Sequence, residues 1–142
     1  MSDKAVYIIT NNPMVNEKYK NDPAIGVEFL EGGAYIDVLL NVRNKVQSRW
    51  RLLSHPQASN LKPTESPFKS ILVTDKFEVY EYLKEVELIE QAVFGYEKLT
   101  AGTTKPVWKE CYFRDYQLID MDTLESVFSS AVLKNLIMRY SR

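Results

Sequence analysis

Apolar residues in this chain fall into two kinds of pattern. Short runs rich in β-branched residues read as buried strands: Ala5–Thr10 (AVYIIT) and Ser70–Thr74 (SILVT), with Ile25–Leu30 (IGVEFL) and Trp50–Ser54 (WRLLS) as further candidates. Longer stretches carry a helical period. Tyr35, Val38, Leu39, Val42 and Val46 form one stripe in a helix predicted over Ala34–Gln47. Tyr82, Val86, Ile89, Val93 and Tyr96 form a second, on a helix predicted to reach Leu99. Asp75 and Glu78 have capping-box spacing at its start, and Glu81, Glu85, Glu87, Glu90 and Glu97 give it an acidic outer surface. A short helix over Met14–Lys20 sits between the turn signals Asn11-Asn12-Pro13 and Asn21-Asp22-Pro23. Ala101–Lys105 reads as a loop. Trp108–Asp120 has no clear period and has room for one edge strand. A last helix is predicted over Met121–Tyr140.

Strands alternating with helices predict an α/β fold. We expect a single domain: a mostly parallel sheet flanked by helices in a Rossmann-like three-layer arrangement, with a C-terminal helix. That last helix has two apolar sides. Leu124, Val127, Phe128, Ala131 and Met138 lie on one, and Leu133, Leu136, Ile137 and Tyr140 nearly opposite. Such a helix either buries both sides within the chain or presents one to a second copy, so a homodimer contact is one of two expectations.

The stretch from Leu53 to Ser70 breaks every periodic pattern. It holds the only histidine, His55, three of the six prolines (Pro56, Pro63, Pro67), and Lys62 and Lys69. A proline-rich loop of this length within a small domain is usually functional. In open α/β sheets, ligands bind at the carboxyl ends of the strands. If the first strand and Trp50–Ser54 are neighbours, Asn11, Asn12, His55, Lys62 and Lys69 converge into a small polar pocket suited to a carboxylate or phosphate. The alternative is that His55 caps a loop and the lysines are solvated.

Composition narrows the chemistry. With 18 basic and 19 acidic residues the net charge is −1, which argues against nucleic acid as a partner. The single Cys111 permits no internal disulfide and suits a reducing compartment. We expect it to be a buried structural thiol. One His and one Cys far apart predict no metal site, and the absence of GxxxxGK[ST] and GxGxxG predicts no nucleotide cofactor. Gly32-Gly33 reads better as a tight turn than as an anion loop. No leader and no membrane-spanning run is expected, so the cytoplasm is the default location.

Four strings carry a likeness to a known family. YIITNNPMV (Tyr7–Val15), GAYIDVLLNVR (Gly33–Arg43), LLSHP with KPTESPFKS (Leu52–Ser70) and DYQLIDMDTLESVF (Asp115–Phe128) resemble the GrdX family. Members are small proteins encoded beside the glycine, sarcosine and betaine reductase systems of anaerobic amino-acid fermenters. The resemblance implies an accessory protein in an anaerobic cytoplasm. The chain departs from the family's pattern at Asn44, Gln47, Arg49-Trp50 and Ser59-Asn60, which leaves His55, Lys62, Glu65 and Lys69 as the side chains that transfer.

Two functions follow as expectations. One is an accessory protein that uses the 54–70 loop to bind a small anion or a reductase component. The other is a small enzyme for a carboxylate- or phosphate-bearing substrate, with His55 as general acid/base and Lys62 and Lys69 holding the anion. Convergence of these residues on one pocket separates them.

Overall fold

The computed structural model describes residues 4–57, 62–76, 81–101, 108–130, 133–135 and 138. In chain order the elements are β1 (Val6–Thr10), α1 (Pro13–Tyr19), β2 (Ile25–Phe29), α2 (Tyr35–Gln47), β3 (Arg51–Leu52) and β4 (Ser70–Thr74). They continue with α3 (Tyr82–Thr100), a 3-10 turn (Glu110–Tyr112) and α4 (Phe113–Phe128). One four-stranded sheet has the order β2-β1-β4-β3.

The sheet is mixed rather than mostly parallel. β1 pairs with β2 in parallel, whereas β4 runs antiparallel to both β1 and β3. The reason lies in the connections. α1 carries the chain back across the sheet between β1 and β2, as a parallel pair requires. The described residues between β3 and β4 include no helix, so the chain re-enters at the edge it has just reached. β4 also separates β1 from β3, so the two strands that were to bring Asn11 and His55 together are not neighbours.

Alternation along the strands sorts the core into two faces. Ile9, Ile71 and Val73 point to one side, where they meet α2 and α3. All five residues of the α2 stripe are buried there, with Ile89 and Val93 of α3. Val6, Ile8, Ile25 and Leu72 point to the other side and meet Val15 of α1 and Leu124 of α4. Gly26 leaves space on the first face for the Tyr7 ring; a Cβ at that position would lie 2.5 Å from it.

Local chemistry explains most ends. Asn12 caps α1 by accepting from the Met14 amide at 3.0 Å, and Pro13 supplies the pre-set first helical φ. Asp37, in the first turn of α2, accepts from the Ala34 amide at 2.7 Å. α3 starts later than Asp75 would dictate: its N-cap is Glu81, and Glu78 lies outside the described residues.

The C-terminal part departs most from expectation. Trp108–Asp120 contains no strand among its described residues; α4 begins at Phe113 and ends at Phe128, well short of Tyr140. The hydroxyls of Ser126 and Ser129 donate to carbonyls three residues back, and the Ser130 hydroxyl accepts from the Leu133 amide at 3.3 Å. Serines that bond locally in this way end one helix and cap the next turn. The bend turns Leu133 into the same cluster as Leu124, so it is buried and is not part of an opposite apolar side. Met138 is exposed; Ala131, Leu136, Ile137 and Tyr140 lie outside the described residues. Cys111 is exposed, contrary to the expected buried thiol, because it sits in the 3-10 turn ahead of α4, which buries none of its residues. Among the described residues no helix is long and apolar enough to cross a membrane.

Candidate functional site

Three chain segments meet at the carboxyl edge of β1 and β2. β1 ends at Thr10 and gives way to Asn11 and Asn12. β2 ends at Phe29, and the Leu30 amide still reaches the Thr10 carbonyl at 2.8 Å. The turn that follows is closed by the Gly33 amide on the Leu30 carbonyl at 2.9 Å, with Gly32 at φ +71°. That left-handed conformation suits glycine, so the glycine pair is a turn. β4 enters at the same edge, which delivers the end of the proline-rich loop there.

Asn11 ties the three together. Its Nδ2 donates to the Gly33 carbonyl at 3.0 Å and to the Pro67 carbonyl at 2.9 Å, and its Oδ1 accepts from the Lys69 amide at 2.9 Å. Around this knot lies a cavity of about 590 Å³. Asn11 and Pro13 line it from the β1–α1 turn, and Glu31 to Tyr35 from the β2–α2 turn. Pro63, Pro67 and Phe68 come from the loop, Tyr96 and Thr100 from α3, Trp108 from just before the 3-10 turn, and Phe113 and Gln117 from α4. Tyr35 stacks on Tyr96 with centroids 5.5 Å apart, and Phe68 meets Phe113 edge-on at 5.8 Å.

Beside the wall runs a buried polar chain. Asp120, on α4, accepts through Oδ2 from Asn12 Nδ2 at 2.9 Å and from the Ser70 hydroxyl at 2.7 Å. Ser70 has one hydroxyl proton and gives it to Asp120, so across the 2.6 Å contact the Thr10 hydroxyl donates to Ser70. Thr10 accepts in turn from the Asn12 amide at 2.9 Å, and Asn12 Nδ2 also donates to the Gln117 carbonyl. Burial pushes the Asp120 carboxyl up, against the pull of Ser70, Asn12 and Lys69. Lys69 is only 2 % exposed, with its amine 5.7 Å from the Tyr35 ring centroid. Burial lowers it to about 8, with the Asp120 charge acting the other way, and burial raises Tyr35.

These shifts give stability an unusual alkaline profile. The unfolded lysine keeps its proton up to its ordinary value of 10.5, so above pH 8 the unfolded chain holds more protons than the folded one. Stability then rises with pH, by about 2 kcal/mol between roughly pH 7 and pH 10. Beyond about pH 10 the raised Tyr19, Tyr35 and Tyr96 reverse the trend, because unfolded tyrosine loses its proton first. Urea melts across this range are expected to show a maximum that Lys69→Met removes; a flat wild-type profile would contradict it.

The residues singled out in the sequence divide into two groups. Asn11, Asn12 and Lys69 come together. His55 is exposed on the far side of β4, its Nδ1 accepting from the Gln57 amide at 3.1 Å, and does not line the cavity. Lys62 and Glu65 are exposed and bond to each other: the Lys62 amide donates to Glu65 Oε1 at 2.9 Å and the Glu65 amide to the Lys62 carbonyl at 2.8 Å. Lys62 also lines a separate cavity of about 190 Å³ behind the Tyr35–Tyr96 stack. Sequence reasoning missed Asp120 and the aromatic wall. One signal was present: Phe113, Tyr116, Asp120, Leu124 and Val127 have helical spacing, and an acid inside an apolar stripe marks a buried charge.

The architecture is thus a mixed α/β layer structure with an aromatic cavity at the carboxyl edge of its parallel strand pair. The family model described as GrdX-like protein matches residues 7–129, and the chain belongs to the GrdX family. Neither a curated protein nor a solved structure matches it.

Proposed function

We propose that this chain is an accessory binding protein of the glycine, sarcosine or betaine reductase systems, holding a small molecule in the 590 Å³ cavity. One observation carries the reading. The four strings that resemble the family each contribute to the cavity wall: Asn11 and Pro13, Gly33 to Tyr35, Pro63 with Pro67 and Phe68, and Gln117. The volume is in the range of small-molecule sites, and the lining is mainly apolar with a few polar groups, as in such sites. The 54–70 loop acts as a wall of the site through Pro63, Pro67 and Phe68. An acid–base role for His55 has no support in this geometry, since the ring lies outside the cavity. The reading places the protein in an anaerobic cytoplasm.

The test is a thermal-shift panel of glycine, sarcosine, betaine, acetyl phosphate and phosphate, with retention on immobilised reductase components as a second arm. A ligand at a hundred times its dissociation constant adds about 2.7 kcal/mol, a Tm rise of roughly 5–10 °C for a chain of this size. A shift abolished by Phe68→Ala supports the cavity. No shift with any compound and no retention by any component overturns the reading.

A further inference from the structure

We infer that the ligand end held in this cavity is a methylated ammonium ion; the inference rests on the cavity being the binding site. Six aromatic side chains line it: Phe29, Tyr35, Phe68, Tyr96, Trp108 and Phe113. Glu31 is the one ionised side chain among the described lining residues. Ring faces carry negative potential, and a quaternary ammonium group is the ligand that groups of rings recognise best. An anion would meet Glu31 with the wrong sign; the buried Lys69 amine lies 5.7 Å from the Tyr35 centroid but is not among the described lining residues.

A primary ammonium would need three acceptors for its N–H bonds, and the mainly apolar lining offers few; a methylated cation needs none. Glu31 is exposed, so it stands where a positive charge would pass on entry. Charge complementarity therefore separates this ligand class from a neutral apolar one, which would use the rings and ignore Glu31.

The probes are choline and its uncharged carbon isostere dimethylbutanol, titrated calorimetrically against the full chain. Choline is expected to bind at least about tenfold more tightly. Glu31→Gln should weaken choline about threefold and leave dimethylbutanol unchanged, since an exposed charge contributes modestly. Trp108→Leu should remove most of choline's advantage; Trp108 is half-buried and outside both core clusters, and circular dichroism checks its fold. Equal affinity for the two probes overturns the cation inference and leaves the cavity as a binding site. No binding of either probe also overturns it, and a shift with another compound of the panel would still uphold the cavity reading. Choline binding indifferent to both substitutions would move the cation elsewhere and overturn the assignment.

Discussion

Asp120→Ala is expected to lower unfolding stability by about 4 kcal/mol, because it leaves two buried donors without an acceptor and also removes the carboxylate near Lys69. Three losses coincide. Ser70 and Asn12 each lose the acceptor on Oδ2, and the buried Lys69 loses the charge that favours its protonated form. Asp120→Asn separates them. Both hydrogen bonds end on one oxygen, so an amide oxygen can take them over while the charge disappears. That variant should lose only about 1–2 kcal/mol. Urea denaturation of the two variants at neutral pH checks this. A loss under about 1 kcal/mol for the alanine variant would mean that the network contributes nothing net.

Asn11→Ala should cost about 3 kcal/mol and also open the cavity. Its side chain makes three hydrogen bonds to Gly33, Pro67 and Lys69, which belong to two otherwise separate segments. Truncation leaves the buried Lys69 amide without that acceptor, a penalty of roughly 1–3 kcal/mol, and frees two carbonyls. The damage should be local before it is global, because the side chain joins the loop end to the strand edge while the backbone bond from the Asn11 amide to the Lys69 carbonyl remains. Hydrogen exchange at the Lys69 amide should speed up under conditions where the β1 amides stay protected. Unchanged exchange together with a small shift in the urea midpoint would refute the knot. Any ligand that stabilises the wild-type chain should lose most of its effect in this variant.

Both predictions concern residues whose importance was unevenly visible. Asn11 stands out in the sequence because it follows a buried strand and precedes Asn12-Pro13, a turn signal. Lys69 looks like an ordinary solvated lysine of a polar loop, yet the entry of β4 beside β1 takes it inside. Asp120 was hidden by its neighbours. The run Trp108–Asp120 shows no clean stripe, since α4 buries only Asp120 and Leu124 fully and leaves several aromatic residues half-covered. The cavity wall was hidden for another reason: its aromatic residues come from five segments, and no segment carries more than two of them.

What the sequence determined by itself is the set of local elements. The α2 stripe, the strands Val6–Thr10 and Ser70–Thr74, the Asn12-Pro13 start of α1 and the Gly32 turn all lie where periodicity and turn chemistry place them. Those signals act over a few residues, through side-chain spacing and backbone dihedral preference, and so survive in one dimension. Tertiary structure decided the rest. It set the direction of β4, because the loop returns to the edge where β3 ends instead of crossing back. It bent the chain at Ser129-Ser130 and so buried Leu133. It joined Asn12, Ser70 and Asp120 into one hydrogen-bonded chain, although they are 50 to 108 residues apart. Such groupings depend on which faces must be buried together and which polar groups must then find partners, and that is settled only when the layers close.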